Sequence, residues 1–129
     1  MSNNESMEMY LETVYILESD SGHAHGVDIA KRLGVSKPSV TKAIKYLKAQ
    51  GFVNTQKYGT ITLTEKGREL SEEIYSNHQI IELFLEHSLK LSAEQASINA
   101  CKIEHVLSDE MLEAIKSYLK KNNIDTLKL

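Results

Sequence analysis

Three residues near the end of the chain have the types and spacing of transition-metal ligands. Cys101, Glu104 and His105 stand at i, i+3 and i+4, so in a helix all three side chains project from one face. A thiolate, a carboxylate and an imidazole together suit a first-row transition metal. The alternative is that Cys101, the sequence's only cysteine, is simply a small buried side chain. We interpret the pattern as a metal site.

Length and composition limit the class of protein. A chain of 129 residues suits one domain or two small ones. No apolar run is long enough to span a bilayer, and the polar N-terminus does not read as a signal peptide. One cysteine excludes an internal disulfide framework and fits a reducing compartment. We therefore expect a cytoplasmic protein with no membrane partner.

Charge is segregated along the chain. Residues 27–68 hold nine Lys or Arg and two acidic residues, a net +7, whereas the whole chain carries −3 and the remainder therefore −10. Such asymmetry indicates a basic module that meets a polyanion. The alternative is chance clustering on a solvated helical face.

The basic span has the pattern of a winged helix-turn-helix. Apolar periodicity predicts helices over 5–19 and 27–33, and Ser36 caps a third that ends at about residue 50. The second and third are joined by a glycine turn, as in a helix-turn-helix. Alternating residues over 52–63 around Tyr58-Gly59 predict a β-hairpin, which would be the wing.

Short hydroxyls and lysines occupy the exposed side of the third predicted helix. These residue types reach phosphates and base edges, so they favour DNA contact over an ordinary solvated face. At the tip of the hairpin, Lys57 and Tyr58 would face the DNA backbone. The helix positions are Lys37, Ser39, Thr41, Lys42, Lys45 and Lys48.

The second half of the chain is predicted to be helical. Thr64 caps a long helix that ends near His87, and Ser92 begins the helix that would carry the three metal-ligand candidates. Ser108 caps the last helix. On the long helix, His78 and Glu82 stand at i and i+4, which is also the spacing of a plain surface pair.

Taken together, these motifs resemble the diphtheria-toxin-repressor family of metal-dependent transcriptional regulators. The resemblance covers nearly the whole chain in order. The matching segments are 7–12 with Tyr15, 29–41, 63–67, His78 with 82–85, and Ala100-Cys101 with Glu104-His105.

The resemblance implies a mainly α fold and a regulator that is not an enzyme. A winged-helix DNA-binding domain over 1–70 would be followed by a helical metal-binding and dimerisation domain over 71–129. The expected type is the short one, without the family's SH3-like C-terminal domain. Family members act as homodimers on inverted-repeat operators in double-stranded DNA and usually repress metal-uptake genes.

The resemblance also implies the site residues. Met9, Cys101, Glu104 and His105 would form the functional metal site, and His78 with Glu82 a second one. The iron-responsive branch has a histidine where this chain has Ser97. Glu12 matches a carboxylate ligand of the manganese-responsive branch. The positions that face the DNA groove in relatives are Ser36, Lys37, Pro38, Ser39, Thr41 and Lys42.

Ligand softness favours Fe(II) as the physiological metal, with Mn(II) as the alternative. The Met9 thioether and the Cys101 thiolate are softer than the oxygen ligands that Mn(II) prefers. Zn(II), Co(II) or Ni(II) would also bind in vitro.

Three other functions fit parts of the pattern. A winged-helix regulator can respond to an organic ligand or to oxidation of Cys101 instead of a metal. A small hydrolase would use Cys101 and His105, although residues one turn apart on a helix usually lack the required cleft. A non-specific nucleoid-type binder would show strong salt dependence without operator preference.

Overall fold

The computed structural model describes residues 3–124, with side chains from Glu5 onward. The predicted mainly α fold with a winged helix-turn-helix is confirmed. Among the described residues, no helix combines the length and apolarity needed to cross a membrane. The elements are α1 (Asn3–Ser21), β1 (Ala24–His25), α2 (Gly26–Leu33), α3 (Lys37–Ala49), β2 (Val53–Thr55), β3 (Thr60–Leu63), α4 (Glu65–Leu89), α5 (Ala93–Ile103) and α6 (Asp109–Lys121).

The chain divides into two compact units, Met1–Glu72 and Glu73–Leu129, each with its own apolar core. The division falls within α4. The assignment of a DNA-binding domain to 1–70 and of a metal-binding and dimerisation domain to 71–129 stays a prediction. Residues 125–129, which end the second predicted domain, lie outside the described residues.

In the first unit, α1, α2 and α3 pack around one apolar core. Leu11 and Val14 of α1 and Leu47 of α3 are at most 1% exposed. The turn between α2 and α3 needs Gly34, whose φ of 67° is left-handed. Ser36 then caps α3, because its hydroxyl accepts the Ser39 N–H at 3.2 Å. Both signals were readable from the sequence, and the predicted helix-turn-helix is found there.

A three-stranded antiparallel sheet in the order β1-β3-β2 supports the wing. The hairpin pairs Thr55 with Ile61, and its tip is a short 3-10 turn over Lys57–Gly59. One strand was not predicted from the sequence, because Ala24–His25 pairs with β3 in the short segment that follows α1. Two residues are too few for an alternating pattern to register, so only the pairing reveals this strand.

The beginning of α4 packs closely on the end of α3. Thr64 caps α4 as predicted, since its hydroxyl accepts the Gly67 N–H at 3.0 Å. A Cβ on Gly67 would stand 2.0 Å from the carbonyl oxygen of Phe52, so only glycine permits this approach.

In the second unit, residues of α4, α5 and α6 form the apolar core. Ile81, Ala96 and Leu119 are fully buried there. The serine caps predicted for α5 and α6 are present, with Ser92 accepting the Gln95 N–H and Ser108 the Met111 N–H, both at 3.1 Å.

One boundary was predicted wrongly. The helix that carries Cys101 ends at Ile103, so Glu104 is its C-cap and His105 lies in the following turn. The Ile103 carbonyl accepts the N–H groups of both Val106 and Leu107, which closes that turn. Glu104 keeps helical backbone angles and donates its N–H to Ala100 at 2.9 Å, so its spacing from Cys101 is preserved.

We expect Gly67→Ala to destabilise the protein by about 3 kcal/mol, because the new methyl group would collide with backbone that cannot rotate away. Gly26→Ala is the matched control, since its Cβ would meet only Val40 Cγ1 at an ordinary 3.7 Å. Urea unfolding of the two variants measures the difference, and equal stabilities would contradict the close approach.

Candidate functional site

Side chains of α4 and α5 form a cluster of metal-ligand type in the second unit. One ligand atom each from His78, Cys101 and Glu104 lies within 4.8 Å of the other two. The His78 Nδ1 is 2.9 Å from the Glu104 Oε2. The sequence placed His78 in a separate second site, whereas the structure brings it beside the candidates of the first.

Glu104 links this cluster to a second imidazole. Its Oε1 lies 3.0 Å from the His105 Nε2, while its Oε2 faces His78. The other ring nitrogen of His78, Nε2, is 3.4 Å from the Glu82 Oε2. The side chains of Glu82, His78, Glu104 and His105 thus form one continuous row of ionisable groups, and Cys101 lies beside His78 and Glu104. The sequence had suggested two separate sites.

Burial differs sharply within the cluster. The side chains of Glu104 and His105 are 1% and 4% exposed, and that of His78 is 14% exposed. Cys101, in contrast, is exposed. Buried carboxylates persist only when paired, hydrogen-bonded or bound to a metal. A cation would therefore interact strongly with Glu104. Because the Cys101 thiol is exposed, a cation can reach the cluster from solvent on that side.

The donor set fits a first-row transition metal. Imidazole nitrogen, thiolate sulfur and carboxylate oxygen are the ligands that Fe(II), Co(II), Ni(II) and Zn(II) accept. Lone clusters of surface acids lack this mixture, whereas here three chemically different side chains of ligand type converge from α4, from α5 and from the C-cap of α5.

The other predicted ligands lie on α1 in the first unit. Met9 is half-buried, and its backbone carbonyl accepts a hydrogen bond from the Thr13 hydroxyl at 2.8 Å. Glu12 is buried, at 7% exposed. A buried carboxylate in a helix is unusual, and the sequence pattern alone did not indicate that Glu12 would be buried.

The predicted DNA-contact residues are all exposed on α3 and the wing tip. Tyr58, at the tip, is 94% exposed and has a left-handed φ of 64°. Some hydroxyls are already engaged locally, since Ser36 and Ser39 share a hydrogen bond of 2.9 Å and Thr41 donates to the Lys37 carbonyl. The exposed basic face needed for phosphate contact is thus present.

A groove of about 540 Å³ runs between α3 and the wing. Lys37, Lys45 and Lys48 line it together with Tyr58, and none of its described lining residues is acidic. Lys48 also donates to the Thr55 hydroxyl at 2.9 Å, which ties α3 to the wing. Lys45 and Lys48 were seen as part of the exposed helix face, but their position in this groove depends on the hairpin and required the structure.

Family models match the two halves of the chain. Residues 4–61 match the model of the iron-dependent repressor N-terminal DNA-binding domain. Residues 64–126 match the model of the iron-dependent repressor metal-binding and dimerisation domain. The chain belongs to the iron-dependent repressor family. This confirms the resemblance inferred from the sequence motifs.

Two relatives show the same relationship across most of their length. The chain is 40% identical over 119 residues to an HTH-type transcriptional regulator of Methanocaldococcus jannaschii, covering 92% of this chain and 95% of the relative. It is 36% identical over 118 residues to the transcriptional regulator MntR of Escherichia coli, covering 92% of this chain and 76% of the relative.

A solved structure of the manganese regulator SloR has the same fold. It matches with a TM-score of 0.76 at 30% identity, over 97% of this chain and 56% of that one. The chain thus spans about half the length of that protein. The family consists of metal-dependent transcriptional regulators and not of enzymes, which confirms the prediction of a regulator over a hydrolase.

We expect Cys101 to contribute sulfur to a bound metal. Titration with Co(II) should then produce a near-ultraviolet thiolate-to-cobalt absorption band, which Cys101→Ser abolishes because a hydroxyl oxygen cannot give this transition. His78→Gln should weaken Co(II) binding at least tenfold. Lys102→Gln, next to the cysteine, is the control. An unchanged band in Cys101→Ser would contradict the assignment.

Proposed function

We propose that this chain is a repressor that binds operator DNA as a homodimer when it holds Fe(II) or Mn(II). The observation that carries the proposal is the convergence of His78, Cys101 and Glu104 within 4.8 Å, in a chain whose other unit presents a basic winged helix-turn-helix. A DNA-binding module needs no such ligand set for its own stability, so the cluster is best explained as the sensor.

The proposed ligands are centred on Glu104. Its two oxygens face two different imidazoles, those of His78 and His105, so this carboxylate can serve metal positions on both sides. Cys101 adds sulfur beside His78, and Glu82 orients the opposite edge of that ring. We assign Met9 and Glu12 of α1 as further ligands, on the family resemblance.

Among metals, we propose Fe(II) over Mn(II) because of sulfur. A thiolate at position 101 binds the softer ion better than an oxygen ligand would. The manganese-related relative SloR is an argument for the other choice, and both metals therefore belong in every assay. Zn(II), Co(II) and Ni(II) should bind in vitro because of their higher intrinsic affinities.

For DNA, we propose that α3 enters the major groove and that the wing lies along the backbone. The reading residues would be Ser36, Pro38, Ser39 and Thr41, and the lysines would contact phosphates. A homodimer presents two copies of α3, so its operator should be an inverted repeat with half-sites about one helical turn apart. We propose that the protein is cytoplasmic and that it represses metal-uptake genes.

When bound, the metal ion would supply positive charge and would link the side chains that bind it. Within the protein, Glu104 and His105 form the buried part of the site. His78 lies on α4, the helix that begins in the winged-helix unit. Binding of metal and binding of operator are then coupled, and each must strengthen the other.

We expect Fe(II), under anaerobic conditions, or Mn(II) to tighten operator binding at least tenfold at one fixed salt concentration. Glu104→Gln keeps the shape of the side chain but loses its charge, so it should remove most of this effect. Fluorescence anisotropy with a labelled operator, identified by selection from random DNA, measures both affinities.

Glu113→Gln is the matched control, since Glu113 is a mainly exposed carboxylate on α6 whose partner is Lys116. It should behave like the wild type. Equal operator affinity of the wild type with and without metal would contradict the proposal.

A further inference from the structure

The segment 63–67, Leu-Thr-Glu-Lys-Gly, is one of the family-like motifs, yet neither the metal cluster nor the DNA face uses it. In the structure it begins α4 directly against the end of the recognition helix α3. We call this contact the α4 junction. It consists of Thr64, Lys66 and Gly67 on one side and Gln50, Gly51 and Phe52 on the other.

Thr64 does more at this junction than cap a helix. Its hydroxyl accepts the Gly67 N–H at 3.0 Å and also donates to the Gly51 carbonyl at 2.6 Å. Its backbone N–H is donated to the Phe52 carbonyl at 3.0 Å. The serines that cap α5 and α6 achieve capping with the first type of contact, so capping alone does not require the other two.

Lys66 fastens the same two elements from the surface. Its ammonium group donates to the Gln50 carbonyl at 2.9 Å and lies 4.6 Å from the centre of the Phe52 ring. Gln50 is the C-cap of α3, so the lysine charge is placed where the helix dipole is negative. The contact combines a charge-assisted hydrogen bond with a cation–π interaction.

Gly67 allows the backbone of α4 to lie in direct contact with the backbone of Phe52. The space that a Cβ would need is filled by the backbone of Phe52. A sliding movement of α4 at this point would therefore collide with the chain that follows α3, because buried backbone does not yield as a flexible side chain does.

A second tie joins the same turn of α4 to α1 and β3. Arg68 forms an ion pair with Glu18 of α1, which raises the pKa of the guanidinium through the hydrogen bond and the negative charge. The other oxygen of Glu18 accepts the Leu63 N–H of β3 at 3.1 Å. The first turn of α4 is thus connected to the recognition helix, to the wing and to the helix of Met9 and Glu12.

We infer that the α4 junction is a positioning element that makes the placement of α3 depend on the metal state of α4. His78 lies about three turns further along the same helix, and its ligand cluster is the proposed sensor. This inference rests on the proposed function. A purely structural junction would stabilise the fold equally with and without metal, whereas a positioning junction changes the ratio of the two operator affinities.

Lys66→Met tests the inference, because it removes both surface contacts at an exposed position and leaves Thr64 and Gly67 intact. The measured quantities are operator dissociation constants with and without Mn(II), and the Mn(II) affinity without DNA. We expect the ratio of operator affinities to fall about tenfold, while Mn(II) affinity stays within about twofold. Lys66→Arg should restore the ratio, since a guanidinium can make both contacts.

Two controls separate the explanations. Lys120→Met removes an exposed charge on α6 and should leave the ratio unchanged. Lys42→Ala should weaken operator binding equally with and without Mn(II), as expected for a phosphate contact.

The inference is overturned if Lys66→Met keeps the wild-type ratio, or if it weakens both operator affinities equally as Lys42→Ala does. In both of those outcomes the proposed function stands, because the wild type still responds to Mn(II). A wild-type protein without any metal response would overturn the proposed function and this inference together.

Discussion

The carboxylate of Glu104 is the group on which the account depends. It is almost fully excluded from solvent and lies between the rings of His78 and His105, with distances of 2.9 and 3.0 Å. Removing a carboxylate from water costs roughly several kcal/mol unless positive charge or hydrogen bonds replace its hydration. Two imidazoles and a neighbouring thiol surround this carboxylate and are of metal-ligand type, so a cation bound here would gain from a site that the fold has already desolvated.

Helix α4 connects this cluster to the winged-helix unit along the chain. It begins at the end of the recognition helix, where Thr64 and Gly67 fix its first turn, and it carries His78 towards its middle. The contacts at its beginning are made by the Thr64 hydroxyl, the Lys66 ammonium group and the backbone, and Gly67 leaves no room for a Cβ there. In the proposed mechanism α4 therefore connects the metal-ligand cluster to the contacts at the end of α3, and its first turn is the point at which we infer control of α3.

Much of this arrangement could be predicted from the sequence, because its signals are local. Serine caps and the left-handed Gly34 fix the helix boundaries, and the spacing of Cys101 and Glu104 survives although α5 ends at Ile103. What could not be predicted is non-local. The approach of His78 to Glu104 depends on how α4 and α5 pack, and strand β1 exists only through its pairing with β3.

The most direct test of the central claim is to measure Mn(II) affinity calorimetrically on free protein and on protein saturated with operator. If metal and operator binding are coupled, DNA must tighten Mn(II) binding by the same factor by which Mn(II) tightens DNA binding, and we expect that factor to be at least tenfold. Identical Mn(II) affinities in the two states would contradict the account, whatever the metal content of the purified protein.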